Sequence, residues 1–311
     1  MLLTAGKRGA LTRMAAMAIA GFVTSPCRAI DYQPFDWIAL PPGTNAAEGL
    51  YEFGKHDAYN STISSTKTQR TGLDSHIGVA RYVHYDEHLF FGHQWDFQAF
   101  VPFGSLRDGE LDGSRLGNAS GVGDPVVSAG VWFVNQPEHA RWISAADFVT
   151  LPIGSYDRHQ ALNLASNRWQ NDFQIDFTQG FGDRWTADVS VDWIHYGDNP
   201  EAGAGSQRLE QAATYNAFLW VSYDLSDSVA RWVAGSSHAS ISIGYAATFG
   251  GSQRIDTLKT GAKTEEQQIR LTYMMFLAPT WQGLVLVSHD LHVAGQFDQE
   301  FGMGLRVAKL F

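Results

Sequence analysis

Asp188, Ser190 and Asp192 recur at every second residue of one segment, and Gln268, Arg270 and Thr272 do the same on another. Successive side chains of a strand point to opposite faces, so each trio shares one face. Carboxylates, hydroxyls and a guanidinium arranged this way can bond among themselves or tune what passes a water-filled interior. Both roles stay open at this level. Other chemistry is harder to build. Gly121-Val122-Gly123 lacks the third glycine, the basic residue and the following helix of a phosphate loop, and reads as a turn entering a strand. The 11 histidines form no HExxH or comparable ligand set. His84, His88 and His93 straddle a proposed turn and read as rim residues. Serines and histidines are plentiful, but no pair stands at a defined spacing with an orienting third group. The sequence therefore names no catalytic residue, no metal ligand and no cofactor.

The clearest strand carrying these side chains is 185–196. Trp185, Ala187, Val189, Val191 and Trp193 share one face, against Thr186, Asp188, Ser190 and Asp192 on the other. Trp185 and Trp193 lie about 26 Å apart along a strand at about 3.3 Å per residue. A tilt of about 40° shortens this to about 20 Å, close to an apolar band of about 25 Å with an aromatic girdle at each rim. Tyr215 and Tyr223 bracket the next apolar face in the same way, and the four aromatics are read as girdle residues. Exchanging the faces would put Asp188 and Asp192 into hydrocarbon at a cost of a few kcal/mol. The final segment repeats the pattern, with Phe301, Met303, Leu305, Val307 and Phe311 opposite Gly302, Gly304, Arg306 and Ala308.

About twelve such segments can be marked, an even count of the kind that closes an outer-membrane barrel. They fall near 47–58, 75–85, 88–102, 123–134, 142–152, 169–180, 185–196, 212–223, 238–249, 267–279, 283–294 and 300–311. Long polar connections follow the odd segments (60–74, 104–121, 155–167, 197–211, 250–265), and most connections after even ones are short. Two gaps break the rule. The stretch 224–237 is long where a short turn belongs, which suggests a strand beginning nearer Val229, and 295–299 is short where a long loop belongs. The expected fold is all-β: a closed antiparallel transmembrane β-barrel, short turns on the periplasmic rim, long loops outside, both chain ends in the periplasm.

The N-terminus supports export. Lys7, Arg8 and Arg13 precede the apolar run 14–23, and Ser25 to Ala29 form a small-residue exit, so residues 1–29 read as a signal peptide cut after Ala29. The run is too short to span a bilayer as a helix. Cutting there removes four of the 22 basic residues and none of the 32 acidic ones, leaving a chain more acidic than the net −10 of the whole, and removes the single cysteine. A cysteine-free exported chain holds together by pairing and burial. The acidity argues against nucleic acid as a partner. Residues 30–46, with Tyr32, Phe35, Trp37, Pro41 and Pro42, read as an irregular periplasmic leader or a partial plug in the barrel mouth, the surface-packed leader being favoured. The barrel takes 47–311.

Several ordered motifs carry a resemblance: Leu40-Pro41-Pro42-Gly43, Val101-Pro102-Phe103-Gly104, Gly121-Val122-Gly123-Asp124-Pro125, Leu151-Pro152-Ile153-Gly154, Leu162-Asn163-Leu164-Ala165-Ser166-Asn167-Arg168-Trp169 and Tyr196-Gly197-Asp198-Asn199. Together they resemble the outer-membrane transporter family associated with meta-cleavage phenol degradation. That resemblance implies a β-barrel and passage of aromatic or other hydrophobic compounds. The closing strand likewise resembles the C-terminal strand of bacterial outer-membrane barrels, where a terminal Phe, here Phe311, serves assembly; Lys309 stands where that pattern has an aromatic or apolar residue. The expected location is the bacterial outer membrane. Expected partners are its lipids, the barrel-assembly machinery and a small-molecule solute, with Asp188, Ser190, Asp192, Gln268, Arg270 and Thr272 lining the lumen. Alternatives are a lipase-like barrel hydrolase and a structural or surface-binding barrel without transport.

Overall fold

The computed structural model describes residues 23–24, 31–62, 70–234, 238–260 and 262–311. Most of the expected signal peptide lies outside the described residues. Among the described residues, twelve barrel strands run β1 (Asn45–Asn60), β2 (Gly72–Tyr85), β3 (Gln94–Leu111), β4 in two segments (Ser114–Val122 and Val126–Gln136), β5 (Arg141–Thr150), β6 (Gln170–Phe181), β7 (Trp185–Tyr196), β8 (Thr214–Asp224), β9 (Ala239–Gly250), β10 (Thr264–Ala278), β11 (Trp281–Ala294) and β12 (Gln296–Leu310). Each pairs antiparallel with its sequence neighbours, and β12 closes on β1 with Phe297 opposite Tyr59 and Lys309 opposite Ala47. Closure removes the free edges that would leave backbone groups unpaired in lipid. No helix among the described residues is long and apolar enough to cross a membrane; the crossing is made by strands.

The two-residue period decides which way each strand faces. On β6, Phe173, Ile175 and Phe177 are exposed while Asp172, Gln174, Asp176 and Thr178 are buried; β7 repeats this with Trp185, Val189, Val191 and Trp193 outside. A soluble protein would bury the first set. Here the apolar set faces outward and the polar set inward, the arrangement required when the outer solvent is hydrocarbon.

The structure corrects four details. β3 starts at Gln94, not 88, because Phe91 (φ 49°) and Gly92 (φ 85°) occupy left-handed backbone that an extended strand cannot hold. Phe91 is thus an exposed turn residue. The expected loop 104–121 is instead a hairpin continuing β3 and β4 past the membrane to the turn Asp112-Gly113, a dipeptide suited to tight hairpins. The long inner connection after β8 holds a helix, Asp227–Ala234, with an Asp227–Arg231 pair at 3.5 Å; Val229 belongs to that helix, and β9 starts at Ala239. The short outer gap shrinks to Gly295 alone (φ 84°), where a Cβ would lie 1.7 Å from the Lys263 carbonyl oxygen. The outer loops also order themselves further: 199–202, 207–211, 253–255 and 258–259 form a small four-stranded sheet.

The interruption of β4 at Gly123-Asp124-Pro125 gathers motifs that are far apart in sequence. Asp124 accepts from the Gly154 N–H (3.0 Å), the Ser166 N–H (2.7 Å) and the Ser166 hydroxyl (2.7 Å). It thereby pins the 151–169 connection beside the outer segment of β4, which pairs with β3. Gly154 packs so closely that a Cβ would meet the Gly123 carbonyl carbon at 2.5 Å.

Candidate functional site

The lumen contains the N-terminal leader. The segment enters at the inner rim, where the Gly43 N–H donates to the Tyr85 carbonyl (2.7 Å) and Gln94 Nε2 donates to the Leu40 carbonyl (2.6 Å). It then climbs toward mid-barrel. Trp37 Nε1 donates to Gln174 of β6 (2.9 Å), Trp132 Nε1 of β4 donates to the Trp37 carbonyl (2.8 Å), and Trp220 Nε1 of β8 donates to the Tyr32 carbonyl (3.3 Å). Trp37 also lies 5.6 Å from the Trp132 ring and 6.4 Å from Phe148. Tyr32, Gln33 and Trp37 are buried. Of the two placements the sequence allows for this segment, the structure shows the one inside the barrel, not the surface-packed one that it favours.

Two leader carboxylates hold it electrostatically. Asp31 pairs with Arg270 of β10 at 2.7 Å, and Asp36 pairs with Arg306 of β12 at 2.6 Å and stands 3.8 Å from Arg81 of β2. Arg81 is further bonded to Glu48 (3.3 Å) and to the Gln98 side-chain oxygen (2.7 Å). Such pairs sit in a poorly screened interior where each charge needs its partner. Neither acid carries a periodic signal in the sequence, because the leader has no regular secondary structure; Arg306, by contrast, was legible as an inward residue of the last strand.

Asp188, Ser190, Asp192, Gln268, Arg270 and Thr272 all point inward and are buried. Asp188 accepts from the Thr178 hydroxyl (2.6 Å), and Asp192 from Gln174 (2.9 Å), Asn216 (3.2 Å) and Ser190 (3.2 Å). Arg270 Nε donates to Gln268 (2.6 Å), whose amide donates to Asp290 (2.7 Å). The trios on β7 and β10 are separated by β8 and β9, and the leader reaches both sides through Trp37 and Asp31. Missed by sequence reasoning were Asp172 and Asp176, although the alternation Asp172-Phe173-Gln174-Ile175-Asp176-Phe177 carries the same signal as β7.

Above the leader, toward the long loops, lies a cavity of about 300 Å³ lined by Asp31, Arg168, Tyr196, Phe218, Glu266 and Arg270, among others. Arg270 stands 5.5 Å over the Phe218 ring, which lies 5.8 Å from Tyr32. Arg168 comes from the motif-bearing 151–169 connection; its guanidinium stacks 4.4 Å over Tyr196 and donates to Gln211 (2.7 Å), and burial lowers its pKa. In the same connection the His159 N–H, 2.8 Å away, holds the Asp157 carboxyl below its ordinary value.

The aromatic residues occupy both ends of the outer wall. Trp185 faces Tyr223 across the β7–β8 pair with ring centroids 4.7 Å apart, and Trp193 is opposite Tyr215, which stacks on Phe249 at 5.5 Å. Phe311 is exposed, its backbone N–H and carbonyl bonded to Asn45 at 3.0 and 2.8 Å. Lys309 bonds the Thr280 hydroxyl and lies 5.2 Å over the Trp281 ring, so its ammonium is held at the rim.

Among the described residues no three His, Cys, Asp or Glu side chains group as metal ligands. His84 meets Asn45 (2.9 Å) and lies 4.0 Å from Asp86, which His88 also meets (3.2 Å), while His93 packs on Phe133, so two of the three flank one carboxylate and the third stands apart. His56, His76 and His289 bond the Leu73 carbonyl, the Tyr51 hydroxyl and the Glu300 carbonyl.

A family model described as "Putative MetA-pathway of phenol degradation" matches residues 57–300. The crystal structure of an outer membrane channel from Pseudomonas putida F1 is similar over 90% of this chain and 100% of its own, with a TM-score of 0.81 and 29% identity. The KdgM porin in complex with disordered oligogalacturonate matches 86% of this chain and 99% of its own at TM-score 0.44 and 10% identity. The beta domain of the Bordetella autotransporter BrkA matches 87% and 100% at TM-score 0.48 and 7% identity. No curated protein matches the chain.

Proposed function

The chain belongs to the MetA-pathway phenol-degradation family of outer-membrane β-barrels, and from that premise we propose that it is a channel for passive passage of small hydrophobic or aromatic solutes. Its place in the bacterial outer membrane and its channel character follow from the fold and from the similar channel of P. putida F1. The observation that carries the finer reading is the cavity of about 300 Å³ above the leader. Its floor combines the Phe218 ring with the Arg270 guanidinium, a surface on which one aromatic ring with a polar substituent can rest.

In this reading residues 31–44 act as a plug, and the six inward side chains predicted from sequence line the path and brace the plug. The solute leaves unchanged, with no covalent step. Trp185, Trp193, Tyr215 and Tyr223 seat the barrel between the two membrane interfaces, and Phe311 is the end recognised by the assembly machinery. The test is liposome swelling with purified barrel: single-ring aromatic solutes should enter faster than sugars of similar mass. Equal exclusion of both would refute the reading.

A further inference from the structure

Arg168 lines the outer cavity and is only 5% exposed, yet it forms no ion pair among the described residues. The other lumen arginines each meet a carboxylate: Arg81 meets Glu48 at 3.3 Å, Arg270 meets Asp31 at 2.7 Å and Arg306 meets Asp36 at 2.6 Å. Arg168 Nη2 donates to Gln211 (2.7 Å), while its Nε and Nη1 hydrogens have no acceptor. Asp124 and Asp198 act on it from a distance, but both are committed elsewhere. Asp124 accepts from Gly154 and Ser166, and Asp198 is bonded to Arg208. Burial lowers the Arg168 pKa, as expected of a charge short of partners.

The position of this cation is built by its surroundings. Its guanidinium lies 4.4 Å over the Tyr196 ring, and the Tyr196 hydroxyl donates to Thr214 of β8 (3.1 Å). Just before it in the chain, the Asn167 amide donates to Asn199 (3.0 Å), whose own amide donates to the Ser166 carbonyl (3.2 Å). The backbone on which Arg168 sits is therefore tied to the loop sheet on one side and to Asp124 on the other. A buried charge held in place without a counter-charge is costly, and an anion arriving from outside the chain removes that cost.

We propose that Arg168 is the carboxylate-binding group of the solute path, so that, given the channel reading above on which this rests, the preferred solutes are aromatic monocarboxylates. Carboxylate is the group that matches a guanidinium in both charge and hydrogen bonding. Phe218 lies on β8 four residues from Thr214, about 13 Å along the strand. Arg168 and Phe218 thus form an outer capture point and an inner floor, the first reading the carboxylate and the second the ring. Arg270 at the floor is already neutralised by Asp31. Glu52, Asp172, Glu266 and Asp290 also line the cavity; they disfavour a dianion and admit a monoanion only where the uncompensated cation stands.

The experiment is calorimetric titration of the full barrel in detergent at neutral pH with benzoate and with benzyl alcohol, a neutral solute of similar size, folding being checked by heat-modifiable gel mobility. The wild type is expected to bind benzoate about tenfold or more tightly, the worth of one charge-assisted hydrogen bond. Acetate, which lacks the ring, should bind more weakly than benzoate. Arg168→Gln should bring the benzoate and benzyl alcohol affinities together. Benzoate bound no better than benzyl alcohol by the wild type would overturn the proposal, and that comparison decides the matter even if the variant does not fold. So would a preference unchanged in a folded Arg168→Gln barrel. Liposome swelling separates the two readings. Entry of neutral aromatics with no preference for benzoate leaves the channel reading standing alone, and tight benzoate binding without entry of any aromatic removes the channel and keeps the site.

Discussion

Asp36 and Arg306, 270 positions apart in the chain, bond at 2.6 Å inside the barrel with both side chains nearly buried. The pair ties the leader to the closing strand. Removing one member leaves the other charge buried without its partner, which costs about 3–5 kcal/mol. Asp36→Ala should therefore lower the temperature of the heat-modifiable gel shift clearly. Pairing it with Arg306→Met should recover part of the loss, because the orphaned cation goes too. A double variant that simply adds the two losses would show that the residues do not act as a pair.

The face assignment makes a second prediction. Val189, at the middle of β7, faces lipid and Ser190 faces the lumen. Val189→Arg should cost about 2–4 kcal/mol in a folding titration, the penalty for a cation at the bilayer midplane. Val189→Leu should be near neutral. Equal stability of the two variants would contradict the orientation of β7.

Asp124 joins the interrupted β4 to the 151–169 connection by three hydrogen bonds. Each bond to a carboxylate contributes about 1.5–3 kcal/mol, not additively. Asp124→Ala should make the connection cleavable by protease added to intact cells, while the barrel still shows its folded gel mobility. Gly154→Ala should give the same result through crowding against Gly123. Full protease resistance in both would refute the pinning role.

Gly295 closes β11 onto β12 in one residue at φ 84°, with the Lys263 carbonyl in the space of a side chain. Gly295→Ala must displace backbone, and the expected outcome is a reduced yield of folded barrel in the outer membrane. A normal yield would show that the 264–295 corner yields easily.

The strands were legible because lipid outside and water inside impose a period of two; Trp185 to Tyr196 was marked to the residue. Errors fell where that solvent contrast ends. Beyond the membrane the β3–β4 hairpin buries Leu106, Leu111 and Ala119 against Leu162 and Leu164, but a register shift at Asp108 (φ 54°) breaks the alternation, so Gly104 to Gly121 reads as loop and only Asp112-Gly113 marks the turn. Val229 sits in an eight-residue helix too short to display a helical stripe in a sequence. The inward trios and Arg306 were found by pattern, but Asp31, which pairs with Arg270, and Asp36, which pairs with Arg306, were not, since nothing local separates a buried leader from an exposed one.

The central claim is that solute crosses through the lumen and that the leader, held by Asp31 and Asp36, restricts it. The most direct measurement compares liposome uptake of a single-ring aromatic solute by the wild-type barrel and by the D31N/D36N variant at equal amounts of folded protein. Uptake is expected to rise several-fold once the two carboxylates are neutralised. Unchanged uptake would contradict the account, because the path would then not run past the leader.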